Sequence, residues 1–229
     1  MCYAFRDNSN LPHNREYGFV NSMYDSDHGN SVITRAEFQE IIKLEGQVRG
    51  SALNTDAACV ESREGKEGLQ KVEQSFRQLG YPIEYKQIKG MGWYPLCLRV
   101  LSLCVIKDTF DLDDSEIQNM GDIAPKFSFL VKVFMKLTGV SGNVADCAPN
   151  YWRMHYSIGD VRVSKIDDHE GYLLVQLTNF RVHPVLCHYF EGYFRRLLQF
   201  GFVDQNVESK ETKCAFNGDP FHEYRITWK

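Results

Sequence analysis

Between Phe180 and Lys229 the hydrophobic period changes from that of a helix to that of a strand, and this change constrains the fold more than any other feature. In HPVLCHYFEGYFRRLLQFGF, the residues Val185, Leu186, Tyr189, Phe190, Tyr193, Phe194, Leu197 and Leu198 recur at spacings of three and four, so one helix face is apolar. Pro184 suits the first turn, where its missing N–H costs nothing, and Gly201 suits the stop. A strand-like run follows over about 202–216, then the turn NGDP, then HEYRITWK. There Tyr224, Ile226 and Trp228 alternate with Glu223, Arg225 and Thr227, the period of a strand with one face on a core.

A second period-two region precedes it. DVRVSKI and GYLLVQLTNF are two strands joined by the turn-rich DDHEG. Upstream the pattern is helical. Trp93–Phe110 predicts a helix with Pro95 in its first turn, and the next helix, capped by Asp114 or Ser115, runs through MGDIAPKFSFLVKVFMKL to a stop at Gly139. Pro125 threatens to kink it. A shorter helix covers 143–156 with Pro149 inside. Residues 52–60 and 67–79 read as helices, KLEGQVRGSAL as a strand, and Thr34–Ile42 as a short helix with a capping box from Thr34 to Glu37. Helices and strands are segregated and the hairpins demand antiparallel pairing, so the fold class is α+β, an antiparallel sheet packed against a helical layer. Residues 1–30 are polar and Asn/Asp-rich and read as a peripheral arm. Residues 31–229 form a single domain, its body running from about Leu44 to Lys229.

The C-terminal stretch also carries chemistry. Glu211, Cys214 and His222 follow the pattern E-x2-C-x7-H, and a hairpin brings them together, with Cys187 of the preceding helix as a fourth donor. Zinc accepts S, N and O donors in a tetrahedron, and four protein donors leave no position for water, which argues structure rather than catalysis. The competing reading makes Cys187 a small buried hydrophobe and Glu211 a surface charge. His188 is an alternative donor, but it points about one hundred degrees around the helix from Cys187.

Other chemistries are excluded or weak. A net charge of −4 speaks against general binding of nucleic acid. No apolar run approaches ~18 residues, so no membrane span is expected. Seven scattered cysteines without a secretory leader read as reduced thiols of a cytoplasmic protein. Cys97 and Cys104, one heptad apart, read as packed core residues, and Arg195 with Arg196 as a solvated helix face. Ser157, His155 and Asp160 lack the strand-to-helix elbow of a hydrolase nucleophile, and GKEG at 65–68 lacks the flanks of a phosphate loop.

Two resemblances add to this. GQVRGSAL, Trp93–Pro95, IQNMG at 117–121, AP..WR..Y at 148–156 and F..HPVLC at 180–187 resemble, in that order, a family of uncharacterised bacterial proteins abundant in myxobacteria. CHYFEGY followed by ETKCAFNGDPFHEYRI resembles the 4-vinyl-reductase-type domain, a small-molecule-binding domain of regulators. That domain shares a fold group with haem–nitric-oxide-binding domains and vesicle-tethering subunits. The resemblance implies a structural zinc on Cys187, Glu211, Cys214 and His222, with His222 standing where the family has a final Cys. It also implies an apolar pocket between helices and sheet, for which Trp93, Leu96, Phe127, Tyr156, Tyr189 and Tyr193 are the candidate lining residues, and a small hydrophobic or aromatic ligand. Haem is not expected: the haem-binding relatives use a helix His and a Y-x-S-x-R trio, and HYSIGDVR at 155–162 has those residue types at the wrong spacing. The expected function is a non-enzymatic cytoplasmic sensory or ligand-binding domain. The alternatives are an adaptor that homodimerises through its helices, and an accessory protein or enzyme of tetrapyrrole metabolism. No nucleotide-binding motif or acid/base pair supports the last.

Overall fold

The computed structural model describes residues 33–127, 144–200 and 206–229. The arm expected over 1–30, the helix beyond Phe127 and its stop at Gly139 lie outside these residues. α1 (Arg35–Ile41) starts at Thr34, whose hydroxyl accepts from the Glu37 N–H at 3.1 Å. Phe38 and Ile41 are buried, so α1 is part of the packed body.

The extended run expected around GQVRG shrinks to β1 (Gln47–Arg49), and α2 (Gly50–Gln78) begins at once. α2 is two helices across a kink at Gly65, whose backbone (φ 70°, ψ −174°) is open to glycine and strained for other residues. A 3₁₀ turn, Tyr85–Gln87, leads to β2 (Trp93–Pro95), which pairs antiparallel with β1, Arg49 opposite Trp93. This corrects the helix expected from Trp93. Tyr94 precedes a proline and is held extended, and Pro95 stands at the N-cap rather than in the first turn.

α3 (Leu96–Thr109) is the central helix. Every residue from Leu96 to Ile106 is buried, the mark of a helix covered on all sides. α4 (Asp114–Phe127) is capped one residue earlier than expected: Asp113 Oδ1 accepts from the Glu116 N–H at 2.9 Å, and Glu116 Oε2 accepts from the Asp113 N–H at 3.1 Å. Pro125 lies within this helix, and Pro149 within α5 (Val144–His155).

β3 (Asp160–Asp167) and β4 (Tyr172–Thr178) form the first hairpin; α6 (Val185–Gln199) follows; β5 (Val207–Lys213) and β6 (His222–Trp228) form the second. The sheet order is β3–β4–β6–β5, antiparallel throughout, with Leu177 opposite His222 and Glu211 opposite Tyr224. One face of β4 buries Leu173, Val175 and Leu177. On the other, Arg162, Gln176, Glu223 and Lys213 form a polar ladder across all four strands.

α6 meets the sheet through Phe194, whose ring lies 5.0 Å from that of Tyr224. Its Tyr189 instead faces α3. Against α4 the contact is backbone to backbone: a Cβ on Gly121 would lie 1.9 Å from the Tyr189 carbonyl oxygen, and one on Gly192 1.9 Å from that of Gln118. Arg195 and Arg196 close this crossing by gripping buried Asp122 at 2.9 and 2.5 Å, which corrects their reading as a solvated face.

Candidate functional site

The start of α6 and the β5–β6 hairpin bring Cys187, Glu211, Cys214 and His222 together, one donor atom of each lying within 4.8 Å of the others. Cys187 Sγ is 3.8 Å from Cys214 Sγ and 3.8 Å from His222 Nδ1, and His222 Nδ1 is 2.8 Å from Glu211 Oε1. Two thiolates on one tetrahedral zinc are separated by about 3.8 Å, the edge set by a Zn–S bond near 2.3 Å. The donor set therefore fits that ion in type and spacing.

The surroundings aim the donors. His222 Nε2 lies 3.2 Å from the Phe180 carbonyl oxygen, so an Nε2–H donated there leaves the Nδ1 lone pair facing the cluster. Asp219 Oδ2 accepts from the Cys214 N–H at 2.8 Å and fixes the end of β5. Cys187 and His222 are buried. Burial pushes the Cys187 thiol up, with Glu211 and Cys214 adding to it, a direction that a bound cation reverses.

The other candidates separate. His188 turns away to pair with Asp114 at 3.4 Å. Ser157 Oγ accepts from the Gln47 N–H, and His155 Nδ1 donates to the Tyr151 carbonyl, so Ser157 and His155 are committed to backbone partners. Cys97 and Cys104 are buried core thiols, Cys104 3.9 Å from His183 Nδ1.

Of the six residues expected to line a pocket, Tyr156, Tyr189 and Tyr193 gather about Arg99, the rings of Tyr189 and Tyr193 5.9 Å apart. Leu96, Tyr156 and Tyr189 are buried in the interior. Trp93 is half-buried beneath the Arg49 guanidinium, 3.9 Å from its ring centre. Tyr193 shares a hydrogen bond with Tyr151 through their hydroxyls. Phe127, at the end of α4, is 41% exposed.

What the sequence reading missed is a charged centre inside the core. Arg99 of α3 pairs with Asp56 of α2, both enclosed. Ser102 donates to Asp56 Oδ2 at 2.7 Å, Tyr85 shares a hydrogen bond with Ser102 at 2.8 Å, and the guanidinium carbon sits 4.4 Å from the centre of the Tyr189 ring. Burial pushes the Asp56 carboxyl up, against the pull of Arg99 and Ser102. Burial alone would lower Arg99; the charges of Asp56, Tyr189 and Tyr156, with the Asp56 hydrogen bond, together outweigh it and raise the guanidinium. Asp56 Oδ1, Arg99 Nε and Arg99 Nη2 have no hydrogen-bond partner in the protein. The local sign was an arginine in the apolar run LCLRVLSLCVI.

No family model matches the sequence, and no curated protein matches it. Solved structures do match the fold. An H-NOX protein from S. oneidensis in the Fe(II)NO state superposes with a TM-score of 0.59 at 12% identity, over 79% of this chain and 99% of that one. An H-NOX protein mutant from K. algicida gives 0.54 at 13%, over 79% and 96%. An oxygen-binding H-NOX domain related to soluble guanylate cyclases gives 0.52 at 14%, over 79% and 95%. The chain has the H-NOX fold.

Another match, at TM-score 0.54 and 11% identity over 79% of this chain and 99% of that one, concerns a haem with a distorted porphyrin, so haem must be tested against these residues. Between α5, α6 and the sheet, Trp152, Tyr156, Phe180 and Phe190 are in mutual ring contact, with centroids 4.5 to 5.9 Å apart. A macrocycle would have to displace this set. His155, a buried histidine beside it, presents an unpartnered Nε2, its ring tilted against that of Tyr151 with centroids 4.7 Å apart. The packed rings speak against haem here, while the fold likeness to a haem protein and the free His155 Nε2 speak for it.

Proposed function

We propose that the chain is a non-enzymatic, sensory-type domain that binds a small hydrophobic or aromatic ligand and uses one zinc ion as a structural element, as the 4-vinyl-reductase-type resemblance implies. The observation that carries the reading is the closed donor set at the joint of α6 with the second hairpin, all four donor atoms within 4.8 Å of one another. Cys187, Glu211, Cys214 and His222 would hold the metal. Four protein donors fill a tetrahedron, so the ion supplies a cross-link and no open catalytic position. The ion would pin the first turn of α6 to the ends of β5 and β6. The site needs reduced thiols, which suits a cytoplasmic protein. Among the described residues no helix is long and apolar enough to cross a membrane.

Native mass spectrometry of protein purified from its own host tests both halves at once. One zinc per chain and a retained small molecule are expected. A folded, metal-free chain would overturn the zinc reading.

One observation favours a second reading, an adaptor that dimerises through its helices. Ile123 and Phe127 lie one turn apart on α4 and are 39% and 41% exposed. Light scattering on the purified chain separates the two: a dimer broken by Ile123→Lys supports the adaptor, and a monomer excludes it.

A further inference from the structure

We propose that the buried guanidinium of Arg99, backed by Asp56, is the anchor of an interior site for a small aromatic carboxylic acid. The inference rests on the ligand-binding reading above and names the chemistry of what is bound. It starts from the cost of the arrangement. Burying a charged pair is rarely favourable against an apolar core of equal volume unless the remaining polar atoms are also satisfied. Here they are not: Arg99 is wholly enclosed, and its Nε and Nη2, like Asp56 Oδ1, have no partner among protein atoms.

The geometry of the unused atoms is specific. Arg99 Nη1 and the Ser102 hydroxyl both donate to one Asp56 carboxylate oxygen, Oδ2. Nε–H and Nη2–H, the two that remain, lie side by side on one edge of the planar group. That edge grips the two oxygens of a carboxylate with parallel hydrogen bonds. The guanidinium carbon sits over the Tyr189 ring, and the Tyr156 hydroxyl reaches the same guanidinium. Besides Asp56, the side chains acting on Arg99 are the phenolic Tyr189 and Tyr156, the latter through a hydrogen bond, and a flat apolar body packs well against such rings. Asp56 Oδ1 remains to accept from a ligand hydroxyl. The anchor is sealed from solvent, so a ligand reaches it only if the surrounding core opens.

Isothermal titration and thermal shift on the full-length, zinc-loaded chain test this with benzoate, benzamide and phenol as probes. Benzoate is expected to bind and raise Tm, and benzamide to bind at least about tenfold more weakly, the worth of one charge-assisted hydrogen bond. Asp56→Asn removes the internal counter-charge and should tighten benzoate by about tenfold or more. A merely structural ion pair would show no such gain. Because Arg99→Met alone leaves a buried carboxylate unpaired, the double variant Asp56→Asn/Arg99→Met is the matched loss of function, and it should fold yet not bind benzoate. Benzoate binding retained in the folded double variant, or no tightening in Asp56→Asn, would overturn the anchor. If phenol or benzamide binds and benzoate does not, the anchor fails while the ligand-binding reading stands. If no probe binds and the host-purified chain carries no small molecule, both fall.

Discussion

At the residue scale, two side chains make opposite demands on their surroundings. Cys214 sits at the turn between β5 and β6 with its thiol 3.8 Å from that of Cys187, so it contributes mainly if an ion joins them. Cys214→Ser keeps the volume and weakens the donor; the expected outcome is loss of zinc by native mass spectrometry and a fall in stability of about 4 kcal/mol where zinc stands about a thousandfold above its Kd. His155 is a different case. Burial holds its pKa below the ordinary value, with the Tyr151 carbonyl opposing and the Arg49 charge assisting. The folded chain therefore keeps it neutral while the unfolded chain takes up a proton first. Stability is fully present above the unfolded pKa, about 6.5, and is lost as pH falls from there toward the lower folded pKa. Urea titrations at matched zinc content should show wild type losing stability across that window and His155→Asn losing less. An equal decline in both proteins would assign the acid sensitivity elsewhere.

At the element scale, the crossing of α4 and α6 is the least forgiving contact. With a Cβ on Gly121 or Gly192 only 1.9 Å from a facing carbonyl oxygen, no side-chain movement relieves the clash, and the helices must separate. Gly121→Ala is expected to cost about 3 kcal/mol or more, read by thermal unfolding. Gly65→Ala is the contrast. Nothing lies within 4 Å of a Cβ there, so it should cost only the backbone strain at the kink of α2, about 1–3 kcal/mol. Which elements were legible follows from how local their cause is. The amphipathic helix over 183–200 and the alternation in HEYRITWK need no distant partner to be seen, and α6 and β6 form where they point. Trp93–Pro95 looks helical because its neighbours downstream are. Its strand character comes from pairing with Gln47–Arg49, far back in the chain, and a single-sequence period carries no sign of that pairing.

At the scale of the whole molecule, the same contrast separates the two polar sites. The donor set was legible because three of its four residues sit in one hairpin, and strand geometry alone brings Glu211 and His222 to its facing strands. The Arg99–Asp56 centre spans 43 residues and two helices, so only packing could reveal it. That difference predicts how the protein responds to metal removal. α3 and the kinked α2 are held by a core that contains no zinc donor, with Leu53, Leu101 and Leu103 fully buried. The start of α6 and the end of β5, by contrast, meet at the donor set, with the Glu191 carboxylate on the Glu211 backbone beside it. β5 is an edge strand with three of its seven residues exposed, and edge strands with few apolar contacts open first. Chelation of zinc should therefore speed amide hydrogen exchange in 185–191 and 207–223, while 53–60 and 96–106 keep their protection. Uniform acceleration throughout the chain would mean that the ion sustains the entire fold, and no change anywhere would mean that Cys187, Glu211, Cys214 and His222 pack without it.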